Sequence, residues 1–485
     1  MSVYKHGVYV TQLPTSIVPP RRIGAAMPVV VGTAPVHMVR EDFTGPVNDP
    51  FLAYTHGEAV TNLGYSEDWK AYTLCEFLYS QFVLFALAPV VFINVFDPAV
   101  HKTAVSGEAA SFEAGKLTLA HPGLVAAPVV KSEDGLTTHV AGTDYEVDRI
   151  TGEITLVEGG AIAADATVQV DYSYGDPSLV DADDIVGGIV AATGQKTGLE
   201  LVDQVFPRFR LLPGLVLAPG WSHNPLVAAV MVTKAGNVNG HFSCFAYVDI
   251  PSDASGADRY SEVAAWKNLN NYVDPGQYNL WPKVKIEDKV FHLSTQAAGI
   301  TGSVDADNED IPYESPSNKA LKANGAIVES GDTVFLGISE ANYLNEQGVA
   351  TPLNFIGGWK LWGNRTGCYP AVTDVKDAFL PIQRMFRWLA NTFILTFWQK
   401  VDKPLNRRLV ETIIDSFNIF LNGLAARQFI LGGRVEFLRD ENPITDLMDG
   451  IIRFHLYVTP PSPAREIHGL LEYDPGYVNT LFGGE

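Results

Sequence analysis

Pro28-Val29-Val30-Val31-Gly32 is an unbroken apolar run bounded by proline and glycine, which is typical of a strand buried on both faces of a sheet. Apolar residues at helical spacing follow between Asp68 and Leu87, and a second apolar run, Pro89 to Phe96, predicts another buried strand. Strand, helix and strand in this order favour an α/β layer. We therefore predict a mixed α/β fold built outward from these three segments.

The α/β pattern resumes from about Asp183 to Leu336. Strands are predicted at Leu211–Leu217 and Phe245–Ile250, and a helix at Tyr260–Leu269. We assign residues 22–99 and 183–369 to the two parts of one discontinuous middle domain.

Residues 100–182, between these two parts, have a different composition. Glycine, threonine, valine and aspartate alternate with period two, as in Glu153-Ile-Thr-Leu-Val157 and Thr167–Tyr174, and turn residues such as Gly159-Gly160 separate the runs. This pattern predicts an inserted outer β domain of sandwich-like form. Its acidic residues contribute much of the formal charge of −21, which disfavours binding to nucleic acid.

Residues 370–463 are predicted to form a C-terminal domain of α+β type. Lys376–Gln399 has a long helical pattern, and a second helix is expected to open after Asp402, with Pro404 in its first turn, and to stop at Gly432-Gly433. Strands are predicted at Arg434–Leu438 and Ile451–Val458.

Both ends of the chain carry a strand-like segment on a proline-containing tether. Residues 1–21 contain Val3–Val10, and residues 464–485 contain Ile467–Tyr473 after Thr459-Pro-Pro-Ser-Pro463. A strand with no partner of its own gains backbone hydrogen bonds by joining the sheet of a neighbour. A subunit with two such donor strands and an acceptor sheet can polymerise through heterologous contacts without closing.

Several other classes of protein are disfavoured by composition. The longest apolar stretch, Phe82–Phe96, is too short to span a bilayer of roughly 30 Å and is broken by proline, so no membrane insertion is expected. Cys75, Cys244 and Cys368 lack metal-ligand spacing and are expected to be buried thiols. The first 16 residues do not resemble a secretory signal, which predicts a protein that stays in the cytoplasm where it is made.

Two local patterns resemble ligand sites without matching them. The segment from Gly188 to Thr197 has the wrong spacing for a phosphate-binding loop and is predicted to be a glycine-rich turn. Asp305, Asp307 and Asp310 lack the glycine and distal glutamate of a calcium loop and are predicted to form a solvated acidic loop. Common catalytic motifs are also missing from the sequence, so we predict neither catalytic residues nor a metal or cofactor.

An ordered set of motifs extends through the chain. It consists of Tyr4-Lys-His-Gly7-Val8 with Pro19-Pro20, Tyr343-Leu-Asn345-Glu346-x-Gly348-Val349, Leu361-Trp-Gly-Asn-Arg-Thr366, Asp402-Lys-Pro-Leu-Asn406, Leu431-Gly-Gly433, Asp440-Glu-Asn-Pro443 and Tyr457-Val-Thr-Pro-Pro461. This set resembles the tail sheath family of contractile-tail bacteriophages and tailocins. The resemblance covers about residues 1–99 and 186–485, and the inserted domain looks like the variable outer domain of many sheath proteins.

The resemblance implies a fold and a function. The middle domain would be an α/β domain of subtilisin-like fold without protease activity, and the C-terminal domain would lie nearest the axis of a helical assembly. Rings of identical subunits would stack around an inner tube, and contraction would drive that tube through the target cell envelope. The implied partners are further copies of the chain, the tail tube protein, and baseplate and tail terminator proteins at the ends, in a virion tail assembled in the host bacterial cytoplasm.

We assign candidate site residues in three groups, the first two from the resemblance together with the tethered terminal strands and the third from the basic start of the second C-terminal helix. The inter-subunit donor strands would be formed by Val3, Tyr4, Gly7, Val8, Tyr9 and Val10 and by Ile467, Gly469, Leu470, Leu471, Glu472 and Tyr473. The acceptor strands would contain Val435, Phe437, Ile452, Phe454 and Leu456. Lys403, Arg407 and Arg408 are hypothesised to face the tube.

Two alternatives stay open at this point. The first is a hydrolase on the α/β body with the β domain as an appended carbohydrate-binding module, which would need a concave site with convergent titratable groups. The second is another phage structural protein, such as a baseplate component or a capsid protein, which would lack the paired arms or close into a ring.

Overall fold

The computed structural model describes residues 24–39 and 45–483. Within these ranges the strands are β1 (Pro28–Gly32), β2 (Phe51–Ala53), β3 (Val90–Asn94), β4 (Lys102–Ser111), β5 (Lys116–Thr118), β6 (Val129–Ser132), β7 (Tyr145–Asp148), β8 (Glu153–Leu156), β9 (Thr167–Gly175), β10 (Leu215–Leu217), β11 (Phe245–Asp249), β12 (Gln277–Leu280), β13 (Lys283–Ile286), β14 (Lys289–Phe291), β15 (Lys319–Ala320), β16 (Gly325–Ile327), β17 (Val349–Asn354), β18 (Trp359–Trp362), β19 (Gly432–Glu436) and β20 (His455–Thr459).

The α-helices are α1 (His56–Leu63), α2 (Thr73–Tyr79), α3 (Ala182–Val186), α4 (Val202–Phe209), α5 (Pro225–Gly236), α6 (Tyr260–Leu269), α7 (Leu293–Asp307), α8 (Ile338–Glu346), α9 (Val375–Ala378), α10 (Leu380–Phe397), α11 (Arg407–Ala426) and α12 (Ile444–Met448). Short 3-10 segments lie at Val36–Met38, Pro177–Leu179, Gly198–Leu201, Trp398–Lys400, Arg439–Glu441 and Pro475–Phe482, and a π-helical turn at Ser80–Leu84.

A nine-stranded sheet forms the body, in the order β15-β18-β17-β12-β11-β10-β1-β3-β2. The six strands from β17 to β3 run parallel to one another, and antiparallel strands close the two edges. Every residue of β1, β3, β10, β11 and β12 is buried, as expected for parallel strands covered by helices on both faces. The α/β fold predicted from Pro28–Gly32 is therefore confirmed.

The inserted segment forms two three-stranded antiparallel sheets, β4-β9-β6 and β5-β8-β7. Side chains from both sheets share a hydrophobic cluster separate from that of the body, including Phe112, Tyr145, Ile154 and Val170. The insertion is joined to the body where His101 stacks on Phe96. Two layers of antiparallel sheet around one core make the sandwich-like form predicted from the alternating sequence.

The C-terminal part packs α10 and α11 against the β19–β20 ribbon around a third cluster. α11 is long and apolar enough by composition to cross a membrane, but Ile413, Phe417, Leu421 and Leu424 on one face are buried in this cluster. A buried apolar stripe is the ordinary pattern of a core helix.

The predicted boundaries in this part needed correction. The second helix begins at Arg407, because the Asn406 side chain accepts a hydrogen bond from Leu409 N (2.9 Å) and caps the first turn, so Pro404 lies before the helix. The helix ends at Ala426, and Gly432 and Gly433 begin β19 instead of stopping the helix.

The interpretation of Asp305 as part of a solvated loop was wrong. Asp305 lies at the end of α7, is 1% exposed and accepts hydrogen bonds from Arg384 of α10 at 3.1 and 2.5 Å. Asp307 and Asp310 are exposed, as predicted. The glycine-rich segment is a turn closed by a bridge between Ile189 and Lys196, and all three cysteines are free and buried.

Candidate assembly surface

The β19–β20 ribbon is the part of the chain predicted to accept donor strands. The two strands pair antiparallel, with Val435 opposite Leu456, and Val435 is buried against the C-terminal core. Phe437, Ile452 and Phe454, however, lie outside the strands.

The Asn442 side chain explains why the ribbon is shorter than predicted. Its amide oxygen accepts from Arg453 N (2.7 Å), and its amide nitrogen donates to Arg453 O (3.0 Å). Because these backbone groups are occupied by a side chain, the ladder starts only at His455.

The outer edge of β19 is occupied by a side chain from α11. Asn418 donates to Val435 O (3.2 Å) and accepts from Val435 N (2.8 Å), so its amide takes the place of a neighbouring strand. No sequence pattern indicated this contact, since a lone asparagine in a helical stripe carries no such signal.

The outer edge of β20 has the opposite character. Because Val435 directs its N–H and C=O away from β20, the opposite residue Leu456 directs its own groups away from β19, as antiparallel pairing requires. In the two-stranded sheet this edge has no strand beside it within the described ranges. The open edge of β20 is thus a template for a further strand.

The predicted C-terminal donor segment is extended chain without strand pairing. Ile467–Tyr473 follows the proline tether, and its residues are exposed, with Ile467 at 86% and Leu470 at 95%. Ile467, Leu471 and Tyr473 occur at alternate positions and would share one face of a strand. Exposed apolar side chains in such an arrangement are typical of a segment that takes part in a protein–protein contact. The N-terminal donor residues, Val3 to Val10, lie outside the described residues.

The hypothesised tube-facing residues lie together at the start of α11. Lys403, Arg407 and Arg408 are exposed, and Arg407 Nε is 2.6 Å from Glu411 Oε1 one turn further along the helix. The surface is therefore accessible, with one of its three cations paired within the helix.

A cavity of about 680 Å³ lies at the carboxyl ends of the central strands and is where an enzymatic alternative would place its site. Asp249, the last residue of β11, accepts hydrogen bonds from the hydroxyls of Ser222 (3.3 Å) and Ser294 (2.5 Å). These serines are therefore bound to a carboxylate, and neither has a histidine base within the residues that the structure describes.

The buried carboxylates of this cavity stabilise the beginning of α7. Glu76 accepts from His292 N (2.7 Å) and Asp249 accepts from Ser294 N (2.9 Å), so both satisfy helix N–H groups that have no partner within the helix. Burial raises the pKa of Asp249. Burial also acts to raise the pKa of Glu76, but the charge of His292 and its hydrogen bonds outweigh burial and hold that pKa below its ordinary value.

Comparisons with known proteins identify the family. The tail sheath protein of Burkholderia phage BcepMu is 29% identical over 492 residues, and the alignment covers 99% of each chain. The chain belongs to the tail sheath protein family. The tail sheath protein of Escherichia phage P2 is 25% identical over 319 residues, which cover 62% of this sheath protein and 74% of that relative.

Solved structures agree with this fold. The sheath complex of the extracellular contractile injection system PVC in the contracted state has a TM-score of 0.58 at 12% identity, covering 98% of this chain and 99% of that one. The helical sheath of the anti-feeding prophage in the contracted state has a TM-score of 0.56 at 12% identity and covers 97% and 98%. This sheath protein is a contractile tail sheath subunit, a structural component of a tail.

The inserted domain gives a separate match. A family described as "Protein of unknown function UCP028589" matches residues 97–182, which include every strand of the two insertion sheets.

Proposed function

We propose that this sheath subunit polymerises by strand exchange, with its terminal strands joining the C-terminal domains of neighbouring copies. The observation that carries the proposal is the combination of an open β20 edge with the unpaired, exposed segment Ile467–Tyr473. Pairing the two would satisfy the backbone groups of both and cover apolar side chains that are now exposed.

The two edges of the ribbon are expected to differ as acceptors. A strand can add directly beside β20, where Leu456 presents its backbone groups. Addition beside β19 requires the Asn418 amide to leave Val435 first. The proposal therefore makes β20 the primary acceptor edge.

The domain arrangement follows the order of the chain. In the proposal, residues 1–21 and 464–485 are arms, residues 22–99 and 183–369 are the middle domain, residues 100–182 face outward, and residues 370–463 lie nearest the tube. Lys403, Arg407 and Arg408 would then contact the tail tube protein. Exposed charge pairs contribute only about 0–1 kcal/mol each, so such contacts hold the tube in register and still release it.

The proposed assembly is a helical stack of rings around the tail tube protein, closed at its ends by baseplate and tail terminator proteins and formed in the host bacterial cytoplasm. Contraction would drive the tube through the target cell envelope. The energy would come from surface buried between subunits, at roughly 25 cal/mol per Å² of apolar area, with no nucleotide and no catalysis.

Deleting the arms tests strand exchange. Chains lacking residues 1–12 or residues 464–485 should remain folded monomers. Among the described residues, 464–483 contribute nothing to the three core clusters. Both truncated chains should fail to form helical tubes in electron microscopy at concentrations where the full chain assembles. Leu136→Glu, at an exposed site in the inserted domain, is the matched control and should assemble normally. Tubes formed by either deletion would contradict the strand-exchange proposal.

Charge reversal tests the tube-facing assignment. Arg407→Glu with Arg408→Glu should weaken co-assembly with the tail tube protein, most strongly at low salt, because exposed charges are screened by ions. Unaltered sheath–tube assembly at all salt concentrations would overturn the assignment.

A further inference from the structure

A shallow apolar groove lies next to the acceptor ribbon. It has a volume of about 370 Å³ and is lined by Leu405, Asn406, Arg407, Val410, Phe437, Ile444, Leu447, Met448 and Ile452. Ile444 and Met448 of α12 are 76% and 83% exposed, so much of the apolar wall faces solvent. An exposed apolar concavity of this kind is typical of a protein–protein contact.

A second exposed apolar segment lies near residue 485. Asp474 accepts from Gly476 N (2.8 Å) and caps the 3-10 helix Pro475–Phe482. Tyr477 and Leu481 of that helix are 74% and 77% exposed. Neither side chain is buried against the rest of its own chain, so both are available to a neighbour.

We propose that the groove of one copy receives the 3-10 helix Pro475–Phe482 of a second copy. The contact would be a second anchor for the C-terminal arm, beyond the donor strand Ile467–Tyr473. This inference rests on the proposed strand exchange, because that exchange brings the helix to the groove.

The direction of the donor strand beside β20 would place the 3-10 helix next to the groove. Phe437 directly follows β19 and Ile452 shortly precedes β20, so the groove lies at the end of the ribbon where His455 begins β20. A donor strand added antiparallel to β20 has its last residue, Tyr473, beside His455. The four chain steps from Tyr473 to Tyr477 span at most about 14 Å, which is enough to enter an adjacent groove.

The charges of the two surfaces are complementary. Residues 469–485 contain Glu472, Asp474 and Glu485 and no lysine or arginine. The groove lining contains no acidic residue, and its one cation, Arg407, is paired with Glu411. The loop before the groove carries Lys400 and Lys403 against Asp402. A neighbouring copy of this chain therefore supplies an occupant that matches in both apolar character and charge.

Three variants of the full chain test the contact of the 3-10 helix separately from the donor strand. Deletion of residues 475–485 keeps the donor strand, whereas Leu481→Glu and Met448→Glu place a charge on either side of the contact. Each should raise the concentration needed for sheath polymerisation about ten-fold or more, since buried apolar anchors dominate such contacts. Thermal stability of the monomer should not change, because both side chains are exposed. Leu136→Glu is again the control.

A cross-link tests the contact directly. Sheath carrying both Met448→Cys and Leu481→Cys should form a ladder of disulfide-linked multimers on oxidation, whereas either single variant should not. The native cysteines are buried and should not contribute.

The possible outcomes distinguish the two ideas. If deletion of residues 475–485 polymerises like the full chain while deletion of residues 464–485 does not, the anchor is wrong and strand exchange stands. If both deletions polymerise normally, strand exchange has failed as well. If Met448→Glu weakens only the binding of the tail tube protein, the groove contacts the tube and the inference is overturned. The inference is also overturned if the double-cysteine sheath polymerises without forming disulfide-linked multimers.

Discussion

The nine-stranded sheet of the body and the two-stranded ribbon of the C-terminal domain end in different ways. The body ends in short antiparallel edge strands, β2 with three residues and β15 with two. Short edges of this kind discourage pairing with another chain. The ribbon, by contrast, keeps the five-residue edge of β20 open among the residues that the structure describes. If strand exchange occurs as proposed, this subunit confines its capacity for strand addition to one small sheet and closes its large one.

The largest effect is expected from removing the buried ion pair that joins the C-terminal domain to the body. Arg384 of α10 is 4% exposed and binds Asp305 of α7 and Ala25 O (3.2 Å). Arg384→Met should destabilise the protein by about 3–5 kcal/mol, because a buried carboxylate loses its partner. Urea denaturation of the monomer measures the loss.

The double variant Arg384→Met with Asp305→Leu provides the control for that loss. It should recover most of the stability, since no unpaired charge remains. A single variant as stable as the parent would show that the link between body and C-terminal domain does not depend on this pair.

A smaller effect is expected from opening the closed edge of the ribbon. Asn418→Ala leaves Val435 N and O without their side-chain partner, which should cost about 1–3 kcal/mol in the C-terminal domain. Hydrogen exchange should accelerate at Val435 and stay unchanged in β1 and β11. Asn268→Ala, at an exposed position of α6, is the matched control. Unchanged exchange at Val435 would contradict the capping role of Asn418.

The free energy of unfolding is expected to depend on pH through His37, which lies where the inserted domain meets the body. His37 packs against Phe96, and a Cβ on Gly175 would lie 2.6 Å from His37 Nε2. Burial lowers the pKa of His37 from 6.5 to about 4. The unfolded chain therefore binds a proton between these values that the folded chain does not, so stability is full above pH 6.5 and falls towards pH 4.

The magnitude of this effect is at most about 1.4 kcal/mol per pH unit within that window. Thermal unfolding at pH 7 and pH 5 should show a smaller difference in His37→Gln than in the parent protein. Some pH dependence should remain, because burial also lowers the pKa of His223 to about 4. An identical pH dependence in the variant would rule out His37 as a contributor.

The smallest effect concerns charge on the ribbon itself. Arg434 Nε lies 2.7 Å from Glu436 Oε1, and both side chains are exposed. Glu436→Gln should change the free energy of unfolding by less than about 1 kcal/mol and leave polymerisation unaltered. A large assembly defect would mean that charge, and not open backbone, determines how the ribbon pairs.

The sequence was most informative where a pattern is local. The run Pro28–Gly32 and the helix Tyr260–Leu269 were predicted with the bounds that the structure has, because apolar runs and helical periodicity express burial directly. Boundaries failed where a single side chain intervenes, as Asn406 does at α11 and Asn442 does at β20. Such contacts depend on residues brought together by folding.

The proposed assembly surface was predictable in part. Alternation in Ile467–Tyr473 and the paired strands around Val435 and Leu456 could be found from sequence. The proposed choice of edge could not be predicted, because it depends on Asn418, which is 17 residues from Val435 in the chain. Asp305 was misassigned for the same reason, since its partner Arg384 is 79 residues away.

The open edge of β20 has a consequence for the size of the particle. On the proposed pairing, every copy that donates a strand also brings a vacant edge of its own, so each addition renews the site that it has just filled. Growth by this route has a direction and no natural stopping point. The number of copies in a finished tail must then be fixed from outside the subunit, by the length of whatever it is built upon or by a different protein that occupies the last edge.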